Sequence, residues 1–88
     1  MKNILIPNKL REFRKLNNLR QIDVAHKLGL KNPDRISHWE NGLSIPHPVN
    51  MFKLSAIFNT LPHELYGEFM QQVRTEVVDC KSEIVENM

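Results

Sequence analysis

The 88-residue sequence has little of what most secreted proteins, membrane proteins or enzymes need. Cys80 is its sole cysteine, which excludes an intramolecular disulfide framework and fits a reducing compartment. No apolar run approaches the ~20 residues of a membrane span. The opening MKNILIP holds one lysine and a short apolar run, too little for a signal-peptide core, so a cytoplasmic protein is expected. Glycine is scarce: Gly29, Gly42 and Gly67 lie too far apart to build a phosphate-cradling loop. Strand patterning is also missing, with no sustained alternation and few β-branched runs before residue 73. His26, His38, His47 and His63 are scattered, and none lies at metal-ligand spacing from another or from Cys80. No serine, cysteine or carboxylate pair has a catalytic neighbourhood, so neither an enzyme nor a bound cofactor or metal is expected.

What the sequence does have is one domain's worth of chain and an uneven charge. With 41% hydrophobic and 25% charged residues it suits a single small globular domain. So short a chain buries only a modest core, and a surplus helix is left in need of a partner. Residues 1–48 carry nine lysines and arginines against four acidic residues, whereas residues 49–88 carry three against six. A basic front half points to a polyanionic partner for that half, unless the imbalance is only that of a solvated surface.

Helical spacing recurs along the chain, and the expected class is all-α. Asn8 can cap a first helix with Leu10, Phe13 and Leu16 inward, ending at Asn17-Asn18. A second runs from about Gln21 to Leu28 with Val24, Ala25 and Leu28 inward, followed by Gly29 where a left-handed residue favours glycine. A third starts at Asn32-Pro33, an N-cap residue and then proline at the first helical position, with Asp34 in its first turn, and ends at Asn41-Gly42. The fourth covers about Val49 to Phe58, with Met51, Leu54, Ile57 and Phe58 apolar, and Pro62 opens a fifth with Leu65 and Tyr66 inward.

Helices two and three, joined by a short glycine turn, form a helix-turn-helix unit, and the small Ala25 lets them cross closely. On the third helix Ile36 and Trp39 face inward, leaving Asp34, Arg35, Ser37, His38 and Asn41 outside. That polar, hydrogen-bonding face is what a groove-reading helix requires, and it is also what an ordinary solvated face looks like.

The stretch LREFRKLNNLRQIDVAHKLGL, followed by RISHWENG and IP, resembles the Cro/cI-like (XRE) helix-turn-helix family of bacterial and phage regulators. Leu19, Gln21, Ala25, Leu28 and Gly29 stand in register, then Ile36, Ser37, Trp39, Glu40, Asn41 and Gly42; Glu64-Leu65-Tyr66 matches the fifth-helix ending more loosely. The resemblance, from about Leu10 to Tyr66, implies a five-helix double-stranded-DNA-binding domain. It gives Gln21 a phosphate contact and puts the N-terminal half of the third helix against base edges in the major groove. Asn41 and the chain around Leu43–Ile45, Ser44 included, would touch phosphates on the far side. Arg14 and Glu40 occupy positions that form a structural ion pair in this family.

Two departures stand out. From Leu30 to Ile36 the chain has one residue more than the common pattern, so base-contact roles transfer to Lys31, Asn32, Pro33 and Asp34 only to within about one position. Arg20 replaces the usual Ser or Thr cap; it cannot cap through a hydroxyl but is placed for a phosphate. Asp34 either accepts from a cytosine amino group or serves only the helix terminus, while His38, with Arg35 beside it, is the better base-contact residue.

Tyr66, Met70, Val73, Val77, Cys80 and Ile84 follow heptad spacing, with Phe69, Val78 and Val85 widening the stripe. This tail either folds back on its own domain or joins two chains, and a parallel dimer suits the family. The expected organisation is residues 1–67 as the DNA-binding domain and 68–88 as an association helix. The expected function is a dimeric, non-enzymatic DNA-binding regulator on a two-fold operator. Repression is favoured because no activating or ligand-sensing domain fits in the chain. The alternative is an antitoxin or adaptor whose acidic tail engages a partner protein.

Overall fold

Four successive helices end in the same way, and those endings shape the domain. The computed structural model describes residues 5–85, with side chains described as far as Val78. Among the described residues the regular structure is α1 (Leu10–Leu16), α2 (Gln21–Lys27), α3 (Asp34–Glu40), α4 (Pro48–Ile57), α5 (Pro62–Leu65) and α6 (Gly67–Val85). The chain is therefore all-α, a helical domain extended by a C-terminal helix.

After α1, α2, α3 and α4 the chain turns through Asn18, Gly29, Gly42 and Asn59, each at positive φ (58°, 79°, 78° and 52°). Each turn closes with a pair of backbone bonds onto the last helical turn. After α2, Gly29 donates to the carbonyl of His26 (3.0 Å) and Leu30 to that of Ala25 (2.8 Å). These paired bonds define a Schellman motif. After the first two turns the next residue re-enters toward the core, where Leu19 and Leu30 both pack, whereas Leu43, after Gly42, stays exposed.

That core is Leu10, Val24, Ala25, Leu28, Ile36, Trp39, Leu54, Phe58, Leu65 and Tyr66. The inward sets expected for the second, third and fifth helices match it. Leu16 does not: it is 75% exposed, because α1 is only two turns long and only Leu10 and Phe13 face the neighbouring helices. Met51 and Ile57 are partly buried around it. Asn8 does accept from the N–H of Leu10 (3.1 Å), although α1 begins one residue later than a simple cap implies.

The amide of Asn8 also donates to the carbonyl of Trp39 (3.0 Å), and the N–H of Lys9 donates to the carbonyl of Leu65 (2.9 Å). The entry to α1 is thus tied to the end of α3 and the end of α5. His47 caps α4, its Nδ1 accepting from the N–H of Val49 (3.2 Å).

Helix α6 follows α5 with one intervening residue, Tyr66. Phe69 packs on the core rather than only widening the tail's stripe, its ring edge-to-face with Tyr66 at 6.4 Å. The Tyr66 hydroxyl is buried without a hydrogen-bond partner among the described residues, and burial raises its pKa to about 12. Beyond Phe69 the packing thins: Val73 is half-buried, while Met70, Val77 and Val78 are exposed. Cys80 and Ile84 lie on the α6 backbone, with side chains outside the described part. Met70, Val73, Phe69 and Tyr66, with Ile45, Met51 and Pro62, line an apolar groove of about 300 Å³. Among the described residues no helix is long and apolar enough to cross a membrane.

Candidate nucleic-acid interface

Helices α2 and α3 pack against each other around Ala25, which is fully buried and leaves room for close approach. The extra residue in their connection falls after Leu30: the Gly29 turn is regular, and residues 31–33 bend before α3 starts at Asp34. Pro33 stands just outside the helix and not at its first position, and Asn32 accepts from the N–H of Asp34 (3.0 Å). Asn32 thus turns the chain into α3, with Lys31 exposed beside it.

Ile36 and Trp39 anchor α3 in the core, and their burial fixes what the other side presents. Asp34, Arg35, His38 and Asn41 are exposed and Ser37 is half-exposed. Leu43, Ser44 and Ile45, between α3 and α4, are exposed too.

Glu40 is the hinge of the arrangement. Its side chain is only 1% exposed, yet it collects donors from three places. On Oε1 it accepts from Gln21 Nε2 (3.0 Å), Arg14 Nη2 (3.1 Å) and Arg11 Nε (3.2 Å); Oε2 accepts from Arg14 Nε. Burial alone would raise the Glu40 pKa, but the donors from Arg14, Gln21 and Arg11 outweigh it and hold the carboxyl below its ordinary value. Arg14 also donates to the carbonyl of Leu19 (3.0 Å), so one guanidinium joins α1, the turn before α2 and α3.

The family resemblance implied Arg14 and Glu40 as partners, and the structure pairs them; neither Arg11 nor the link to Gln21 was implied. Gln21, expected at a phosphate, is half-buried and commits its amide nitrogen to Glu40, leaving its second N–H and its oxygen free of partners among the described residues. Arg11 reaches further and donates through Nη2 to Asn41 Oδ1 (2.8 Å). Only the crossing of α1 over the end of α3 brings these residues together, and no spacing in the sequence encodes it.

Arg20 is fully placed on one edge, held by Asp23 through Nε (3.0 Å) and Nη2 (3.0 Å). Asp23 Oδ2 also accepts the backbone N–H of Arg20 (2.8 Å), so the missing hydroxyl cap is replaced by the reverse bond from the third helical residue. The guanidinium, and next that backbone N–H, lower the Asp23 pKa to about 2. The sequence reading of Arg20 overlooked Asp23, three residues on, although capping-box spacing was there to signal it.

A family model described as helix-turn-helix matches residues 10–65 of the chain. No curated protein and no solved structure gives a significant match.

Proposed function

The chain belongs to the Cro/cI-like helix-turn-helix family of DNA-binding regulators, and from that premise we propose that it is a dimeric repressor reading a two-fold operator with α3. The observation that carries this is the two-sidedness of α3: Ile36 and Trp39 hold it in the core while Asp34, Arg35, Ser37 and His38 face outward together. Laid in the major groove, such a helix presents its N-terminal half to base edges. His38 and Arg35 act as base readers, Arg35 matching the acceptor pair of guanine, with Ser37 beside them. Lys31 and Asn32 approach from the preceding turn. Asp34 serves the start of α3 or accepts from a cytosine amino group. Arg20, Gln21, Asn41 and Ser44 meet phosphates and set the register.

In this assignment residues 1–67 bind DNA and residues 68–88 join two copies along Met70, Val73, Val77, Cys80 and Ile84. Exposed Met70 and Val77 support that role, since a helix leaves apolar side chains in water only at a cost that a partner removes. A bound dimer represses by occupying the site. The same exposed stripe supports a second reading, a protein-binding module such as an antitoxin or adaptor whose partner is another protein.

Selecting bound sequences from a random duplex pool tests the proposal. The expected result is an enriched two-fold motif with half-sites about one helical turn apart. Enrichment of a lone half-site would sink the dimer, and no enrichment over the input would sink sequence-specific reading. Affinity should also fall steeply with salt, by about −0.9 in log K per log salt for each phosphate contacted.

A further inference from the structure

Resting on the DNA-binding reading above, we infer that Arg11 and Asn41 together form a subsite for one DNA phosphate, at the edge where α1 crosses the end of α3. Arg11 is assigned no role by the helix-turn-helix pattern. Its guanidinium is fixed by two bonds, Nε to Glu40 Oε1 (3.2 Å) and Nη2 to Asn41 Oδ1 (2.8 Å), yet its side chain remains 48% exposed. A guanidinium has five N–H donors, so the rest point to no acceptor among the described residues. The side chain is held in place before any ligand arrives, which reduces the ordering cost of binding.

Charge completes the case. Glu40 brings one negative charge to the cluster, while Arg11 and Arg14 bring two positive ones. Arg14 is only 12% exposed and spends Nη1 on the carbonyl of Leu19, so the surplus positive charge reaches solvent at Arg11. Asn41 turns its oxygen toward Arg11, which leaves Nδ2 as its outward donor; among the described residues that nitrogen makes one hydrogen bond, a long one of 3.4 Å to Ser37 Oγ.

Asn41 by itself would be a weak anion site, because it sits at the carbonyl end of α3, where the helix dipole repels negative charge. Arg11 reverses that local field. One charged and one neutral donor side by side match the two exposed oxygens of a phosphodiester, and neither carries base information.

The test is duplex affinity as a function of salt, on selected and on random sequence, for the full chain and three variants. Arg11→Met should reduce the magnitude of the log K against log salt slope by about 0.9, with equal loss on both DNAs. Asn41→Asp, which supplies a carboxylate to occupy Arg11, should weaken binding similarly. Arg11→Lys should retain the slope. A purely structural Arg11 would lower the melting temperature and leave the slope unchanged, and that result would overturn the subsite. Should Arg11→Met fail to fold, a wild-type slope in Asn41→Asp would overturn it equally. Failure of the unmodified protein to retain any duplex would instead refute the DNA-binding reading and the subsite with it.

Discussion

The carbonyl of Gly42 accepts the backbone N–H of Ile6 at 2.9 Å, so the segment before α1 runs directly across the end of α3. A Cβ at Gly42 would stand 2.7 Å from the Ile6 oxygen and 2.8 Å from its nitrogen. Gly29 has nearly the same φ but open space where its Cβ would be. Gly29→Ala should therefore cost only the left-handed strain, about 1 kcal/mol. Gly42→Ala should cost roughly 2–3 kcal/mol, because backbone must move as well. Urea unfolding of both variants checks this; equal losses would show that the Ile6 segment yields freely.

Glu40 should make the domain acid-sensitive. Its folded pKa lies below its ordinary value of 4.5. The stability it contributes is therefore fully present above that value and lost as pH falls through the folded pKa. Glu40→Gln should flatten the acid limb of a stability profile. Glu40→Ala, which strands the buried Arg14, should cost roughly 3 kcal/mol at neutral pH. A loss under half of 1 kcal/mol, as an order-of-magnitude bound, would show that the cluster contributes little net stability.

The proposed phosphate contact of Arg20 sets DNA in competition with Asp23. The carboxylate grips the guanidinium from two nitrogens, and a phosphate must displace or share it. Asp23→Asn should tighten binding to selected and random duplexes alike and steepen the salt dependence. Unchanged affinity in the variant would place Arg20 away from the backbone. Arg20→Ala should weaken all sequences similarly.

Neighbours on α3 should behave oppositely. Trp39 is buried among the core residues and His38 is exposed. Trp39→Ala should destabilise the domain by ~3–5 kcal/mol. His38→Ala should leave the melting temperature nearly unchanged and relax base preference at one position of each half-site. A uniform loss of affinity on random and selected DNA would make His38 a backbone contact instead.

The tail can be tested through its single thiol. In a parallel seam each Cys80 faces its own copy near the two-fold axis, so mild oxidation should give a covalent dimer on a non-reducing gel. Removing residues 70–88 spares Phe69 and should leave a folded monomer that binds a full site much more weakly. Absent cross-linking together with a truncated protein that still dimerises would move the contact to α4 or α5.

By itself the sequence determined the helical class, where the helices stop and most of the core. These are local matters: Gly29 and Gly42 permit left-handed turns, proline and asparagine open helices, and Ile36 and Trp39 share a face because three residues make most of one turn. It also contained the register of Gln21, Ala25, Gly29, Trp39 and Glu40 that marks the family. Tertiary structure alone decided that Leu16 stays in water while Phe69 joins the core, since spacing gives a direction around a helix and not what lies opposite. It alone added Arg11 and Gln21 to the Arg14–Glu40 pair that the family resemblance implied. Those residues are 19 to 29 positions away along the chain, and their meeting follows from the angle at which α1 crosses the end of α3, which depends on packing over the whole domain.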